Sequence, residues 1–189
     1  PLGAPMVDEN AMLDDIFAKI GQNADVIDLR EPFTELKDEY LYFKTDHHWT
    51  PNGAYHAYGQ FCTLKGLTPF DRTAHEAVTV TDFQGTHYSA TRLWNVQNDE
   101  ITYYPLDSLM TVYKITGEAQ YEPDKTENIV NADKFATRDK YAAFLDGNNG
   151  YSTIEGSGTG SILVVKDSYA NSFIPYLTEN YAKIGVVDF

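Results

Sequence analysis

Between Asp8 and Ile20 the apolar residues Met12, Leu13, Ile16, Phe17 and Ile20 fall at i, i+1, i+4, i+5 and i+8, which predicts a helix with a core-facing stripe. A short strand over 25–29, a short helix over 32–38 and an extended piece over 40–44 follow. Thr50-Pro51 then reads as a helix start, with Thr at the N-cap and Pro at the first helical position. That helix runs through Ala54, Tyr58 and Phe61 to about Leu64, where Gly66 ends it.

From Thr68 to about Asn131 the pattern changes to short β-prone pieces at 77–81, 100–104 and 110–115, separated by Gly85, Asn98-Asp99 and Thr116-Gly117. This predicts a β-rich, antiparallel insertion over about 68–131. Residues 134–141 read as helical, and the Asp146-Gly147-Asn148-Asn149-Gly150 and Glu155–Gly160 clusters as loops. The apolar run Ser161-Ile162-Leu163-Val164-Val165 is a buried strand, followed through Lys166-Asp167-Ser168 by a helix-like segment over 169–181 and a last strand over 183–189. Helices alternating with strands around one insertion define an α/β fold as a single domain spanning 1–189. The opening Pro1–Pro5 reads as a loop and the last strand stops abruptly, the pattern of part of a longer protein whose targeting or anchoring segment lies elsewhere.

Charge narrows the function. Fourteen Lys and Arg against 28 Asp and Glu give a formal net charge of −14, which disfavours nucleic acids and anionic membranes as partners. No run of about 18 apolar residues marks a membrane span, so direct membrane contact by this part is not expected. The single cysteine, Cys62, sits in an apolar helical stretch and reads as core; it can form neither an internal disulfide nor a Cys-based zinc site. The 14 tyrosines suit a half-exposed sheet or a sugar-facing groove equally well. The oligomeric state stays open.

Two polar clusters stand at strand-to-helix junctions, where open α/β sheets place their chemistry. At one, Ser168 offers a hydroxyl at the carboxyl end of a strand. At the other, Asp46-His47-His48-Trp49 lies between the extended piece and a helix start. In an extended segment alternate residues share a face, so Asp46 and His48 point together and His47 points away. A carboxylate bonded to Nδ1 leaves the imidazole Nε2 free to take a proton from a serine, the Ser-His-Asp arrangement. The simpler readings are a helix-capping serine and a polar turn. Asp46-His47-His48 is also a conceivable zinc or iron site and so a metal-dependent hydrolase, although no further histidine stands at ligand spacing. His56, His75 and His87 each read as isolated. The oxyanion donors expected are the amides of Ser168 and Tyr169 at the helix start.

The stretch over 40–58, Tyr-Leu-Tyr-Phe-Lys-Thr-Asp-His-His-Trp-Thr-Pro-Asn-Gly-Ala-Tyr-His-Ala-Tyr, resembles the signature of the DHHW protein family of bacterial surface proteins. Phe83–Ser89, Tyr141–Asn148 and Lys166–Phe173 extend the resemblance to about 25–189. That family in turn resembles SGNH-type hydrolases and alginate O-acetyltransferases. The resemblance implies a three-layer, SGNH-hydrolase-like α/β fold with helices on both faces of the sheet. It implies Asp46 as orienter, His48 as general base and acid, Ser168 as nucleophile, and Gly147 and Asn148 completing the oxyanion hole beside Tyr169. It departs from that pattern in having Lys166-Asp167-Ser168 where many SGNH enzymes have Gly-Asp-Ser, and in His47. The implied activity is a serine esterase or O-acetyltransferase, without cofactor or metal, acting on an acylated cell-surface glycan or small acyl ester outside the bacterial cytoplasm. The alternative is a non-catalytic surface or glycan-binding module on the same fold.

Overall fold

A computed structural model of the chain describes residues 7–118 and 120–189. The loop assigned to Pro1–Pro5 lies outside the described residues. The helix pattern at the start holds: α1 spans Glu9–Ile20, with Asp8 as N-cap accepting from the Ala11 amide at 3.1 Å. Its stripe does not face the core, since Met12, Ile16 and Ile20 remain exposed and no residue of α1 is buried. The contacts that tie α1 to the chain come from Arg30, which pairs with Asp14 at 2.7 Å and lies over the Phe17 ring.

The strand expected at 25–29 is not formed. The segment finds no ladder partner, and the Asp28 carboxylate turns instead onto the Arg30 side chain and amide. Helix α2 spans Arg30–Glu35 and α3 spans Pro51–Lys65. The boundaries of α3 follow the sequence signals: Thr50 Oγ1 accepts from the Gly53 amide, and Gly66 closes the helix at φ +64°. Its inward face buries Ala54, Ala57, Tyr58 and Cys62.

Of the expected insertion, β1 (Val78–Phe83) and β2 (Asp99–Tyr103) form a separate antiparallel pair, with the short helix α4 (Thr86–Thr91) between them. Strands β3 (Leu109–Gly117) and β4 (Gln120–Asn128) instead continue the larger sheet, so the insertion's strands divide between two sheets. The larger sheet is completed by β5 (Tyr151–Glu155), β6 (Ser161–Lys166) and β7 (Lys183–Asp188), in the order β4-β3-β5-β7-β6. Among the described residues only β6 and β7 pair in parallel.

Alternation in β3, β5 and β7 sends Met110, Val112, Ile154, Ile184 and Val186 into one core with α3 and the segment around Leu177. That face is covered by α3 and the segment around Leu177, while on the opposite face of β6 Leu163 and Val165 are exposed. The two helices expected at 134–141 and 169–181 are tighter and broken. Residues Ala132–Ala136 and Lys140–Ala143, and later Ser168–Asn171 and Ile174–Glu179, are separate 3₁₀ turns. Pro175 lacks an amide hydrogen and disfavours α geometry in the residue before it, which interrupts the later run.

One buried carboxylate fixes the loop that leads into the DHHW stretch. Asp99, at the start of β2, accepts from the Lys44 amide at 3.0 Å, from the Thr45 amide at 2.7 Å, from Thr45 Oγ1 and from the Tyr40 hydroxyl. Asp99→Ala would leave those donors unpaired inside the protein and is expected to cost about 2–4 kcal/mol of unfolding free energy. Urea titration reads this directly; a loss under about 1 kcal/mol would sink the anchoring role.

Candidate active site

Residues 45–49 do not form an extended strand. They make a tight turn in which Asp46 Oδ1 accepts from the His48 amide at 3.0 Å, an Asx-type turn. The same oxygen faces His48 Nδ1 at 2.5 Å. Asp46 Oδ2 accepts from the Thr86 amide at 2.8 Å and Thr86 Oγ1 at 3.1 Å. Burial would push the Asp46 carboxyl up, but the bonds from the His48 ring and from the Thr86 and His48 amides outweigh it and hold the group far below the usual carboxylate range. A depressed folded-state pKa means that this charge stabilises the fold above about pH 4, and the contribution is lost only as pH falls below that toward the folded value.

His48 is held on every side. Its Nε2 lies 2.8 Å from Ser168 Oγ, 120 residues along the chain. The Tyr141 ring stacks on it at 4.0 Å between centroids and 13° between planes. Burial pushes the Tyr141 phenol up, so it stays a neutral donor, and its hydroxyl reaches Ser172 Oγ at 3.0 Å and the Ser168 and Tyr169 carbonyls at 3.3 Å. Trp49 Nε1 donates to the Tyr169 carbonyl at 2.8 Å, and the Tyr169 hydroxyl donates back to the His47 carbonyl. The DHHW turn and the Ser168 turn are therefore laced together by reciprocal bonds.

Ser168 follows β6, and the capping role falls to its neighbour: Asp167 accepts from the Tyr169 amide at 3.0 Å. Lys166, the departure from Gly-Asp-Ser, is buried and paired with Asp188, its register partner on β7. Its charge is neutralised by Asp188 within the sheet.

His47 does not turn away as alternation predicts. The turn stacks its ring 3.8 Å from that of His48, and its Nδ1 pairs with Thr86 Oγ1 at 2.6 Å. Burial and the neighbouring His48 lower its pKa and keep it neutral. Asp46, His47 and His48 consequently offer donor atoms within 4.8 Å of one another. They fit a tetrahedral metal poorly, because two ligand atoms about 2.0 Å from one ion stand roughly 3.3 Å apart, whereas Asp46 Oδ1 and His48 Nδ1 face each other across 2.5 Å as a hydrogen-bonded pair.

The oxyanion donors need revision. The Tyr169 amide is engaged by Asp167, and the Gly147 amide donates to the Phe144 carbonyl at 3.2 Å. The Ser168 turn, four residues of 3₁₀ helix, is also too short to add a helix dipole to such donors. Of the residues named from the sequence for this purpose beyond Ser168, Asn148 keeps unengaged donors, its main-chain amide and the Nδ2 of its exposed side chain. It sits on a turn of consecutive left-handed residues, Leu145 at φ +55°, Asp146 at +52° and Gly147 at +87°. Such conformations are costly for Leu and Asp. The Asp146 side chain braces them, pairing with Lys125 and accepting from Asn131 Nδ2 at 3.0 Å.

Three supporting residues were not legible as site residues. A Cβ at Gly85 would collide with the Asp46 carboxylate, so that position needs glycine. Thr86 meets Asp46 across 40 positions and Tyr141 stacks on His48 from 93 positions away; the resemblance marked their segments but not their roles. A cleft of about 410 Å³ along the end of β6 and the Ser168 turn is lined by Trp49, Val165, Asp167, Tyr169, Ala170 and Phe173, with Ser168 itself outside the lining. Among the described residues no helix is long and apolar enough to cross a membrane.

Comparison with solved structures places this geometry among known folds. A DHHW family protein from Eubacterium siraeum DSM 15702 superposes with a TM-score of 0.73 at 26% identity, over 93% of this chain and 60% of that one. Bacillus cereus PatB1 gives 0.64 at 18% identity, over 93% and 65%, and PatB1 with a sulfonyl adduct gives 0.68 at 17%, over 97% and 63%. The chain thus spans less than two thirds of the length of these structures. No curated protein matches the sequence. A family model described as DHHW protein matches residues 7–187, nearly the whole chain, and the protein belongs to the DHHW family.

Proposed function

We propose that the protein is an acyl-transfer enzyme, a serine esterase or O-acetyltransferase acting on acyl groups of a cell-surface glycan. The observation that carries this reading is the continuous bonded chain Asp46–His48–Ser168, at 2.5 and 2.8 Å. Asp46 fixes the imidazole with its proton on Nδ1, leaving Nε2 to accept the Ser168 proton as Oγ attacks the ester carbonyl. The tetrahedral intermediate collapses, His48 returns the proton to the leaving alcohol, and Ser168 is left acylated. Water or a sugar hydroxyl then gives its proton to His48 and attacks the acyl-enzyme, which releases the acid or the new ester and restores Ser168. No cofactor enters.

Two further points support the reading. PatB1, a protein of the same fold, is known with a sulfonyl adduct, the kind of product a nucleophilic side chain forms with a sulfonyl electrophile. The cleft along the Ser168 turn presents the aromatic rings of Trp49, Tyr169 and Phe173, flat apolar surfaces on which a sugar ring can stack. We place the enzyme outside the bacterial cytoplasm, where such glycans are found.

Ser168→Ala is expected to melt within a few degrees of the native protein, since the cap belongs to Asp167, yet to lose acetyl-ester turnover and labelling by a serine-directed phosphonate. His48→Ala should do the same and His47→Ala should not. If the native protein turns over no acyl ester and takes no phosphonate at Ser168, the surface-binding module replaces this reading.

Asp46→Asn should fold but lower kcat by about 10³–10⁴-fold through loss of tautomer control. A fall under about tenfold would remove Asp46 from the mechanism.

Elemental analysis of the purified protein should find no stoichiometric transition metal. About one equivalent of zinc, lost together with activity on chelation, would overturn the serine mechanism in favour of metal-assisted hydrolysis.

A further inference from the structure

The turn that carries Ser168 ends at Asn171, a residue the proposed mechanism does not use. Its side chain is almost wholly buried, at 2% exposure. Nδ2 donates to Asn148 Oδ1 at 3.0 Å, while its own Oδ1, fully enclosed, has no hydrogen-bond partner. A buried acceptor without a donor is costly. An apolar side chain of similar size would avoid that cost, so the half of the amide that is satisfied must do something the fold itself does not need.

What it does follows from the planarity of a carboxamide. With Oδ1 of Asn148 held by Asn171, the Nδ2 of Asn148 must point away from Asn171, out of the protein. The tie also docks the strained Leu145–Gly147 turn onto the short helix that carries the nucleophile. The amides of Tyr169 and Gly147 are already engaged, as described above. We propose that Asn171 is a positioning residue: it fixes the amide orientation of Asn148, so that Asn148 Nδ2 donates to the oxygen of the tetrahedral intermediate formed at Ser168. The inference rests on the acyl-transfer reading. It identifies the group bound there as a carbonyl oxygen gaining negative charge, stabilised by neutral donors alone.

The test is a double-mutant cycle with 4-nitrophenyl acetate. Asn148→Ala is expected to lower kcat by about 100-fold with KM little changed, the pattern of a donor used only in the transition state. Asn171→Asp is nearly isosteric, but its carboxylate accepts from Asn148 Nδ2 and turns that amide round, so a comparable loss in kcat is expected. With both changes together the loss should equal that of Asn148→Ala alone, because Asn171 acts only through Asn148. Multiplying losses, or an unchanged kcat in either single variant, overturn the proposal.

Exchange of side-chain amide protons in the native protein, followed by NMR, reads the orientation without any variant. Protected Asn171 and freely exchanging Asn148 NH₂ groups are expected, and the reverse overturns the assignment. A native protein that turns over no ester defeats the acyl-transfer reading itself. A native protein that is active, with losses that multiply, defeats only the role given to Asn171.

Discussion

The arrangement of the whole site depends on keeping one buried carboxylate, Asp46, ionised. A charge taken out of water is tolerated only when donors surround it. Here four converge, from the His48 amide and ring and from the Thr86 amide and hydroxyl. Each donor in turn needs its own segment held in place. Thr86 is presented at the start of α4 because Gly85 leaves room for the carboxylate. The turn carrying His48 is held because Asp99 gathers the amides before it. The separate β1–β2 pair, which would otherwise pass as decoration on the fold, is therefore the scaffold of the charge. At the end where Phe83 pairs with Asp99, β2 supplies that carboxylate and β1 leads out into Gly85.

The second half of the site arrives from the far end of the chain. The parallel pairing of β6 with β7 brings Lys166, two residues before the serine, opposite Asp188, which neutralises it. Beyond it, the 3₁₀ turn sets Ser168 against His48, and the bonds of Trp49 and Tyr169 close the two turns on each other. Tyr141 stacks on the imidazole while bonding to the Ser168 turn, so a single side chain limits motion of both partners. Such a site forms only when segments some 120 residues apart have docked, and its precision is a property of tertiary structure.

What could be read from the sequence was what local chemistry decides. Thr50-Pro51 and Gly66 bound α3 because a cap, a fixed φ and a left-handed glycine act within a few residues. The run over 161–165 announced β6, and the identities of Asp46, His48 and Ser168 followed from residue types at junctions and from family resemblance. The errors lie where distant partners decide. Residues 25–29 had strand composition but met no neighbouring strand, and the stripe of α1 had helical period but little to cover it. Alternation put His47 on the wrong side because a side-chain bond, Asp46 to the His48 amide, converts an extended segment into a turn. The amides of Tyr169 and Gly147 looked like free donors because nothing in one dimension shows that Asp167 and Phe144 already hold them.

On the proposed reading, chemistry and substrate choice reside in different layers of the site. The proton relay is buried, with Asp46 at 4% and His48 at 6% exposure, and its imidazole is stacked on the buried Tyr141 ring. The cleft beside it is open and aromatic, and Trp49 and Tyr169 belong to both layers, since their polar atoms lace the turns while their rings face the cleft. Whether an acyl-enzyme hydrolyses or transfers is a competition between water and a bound hydroxyl for His48. The cleft can tilt it only by holding a sugar against Ser168 long enough to exclude water. Substitutions in the relay should therefore slow both outcomes alike, while changes to Phe173, which lines the cleft but takes no part in the lacing, should alter the ratio of transfer to hydrolysis and leave acylation intact. A Phe173→Ala variant in which acylation itself failed would show that the two layers are not separable.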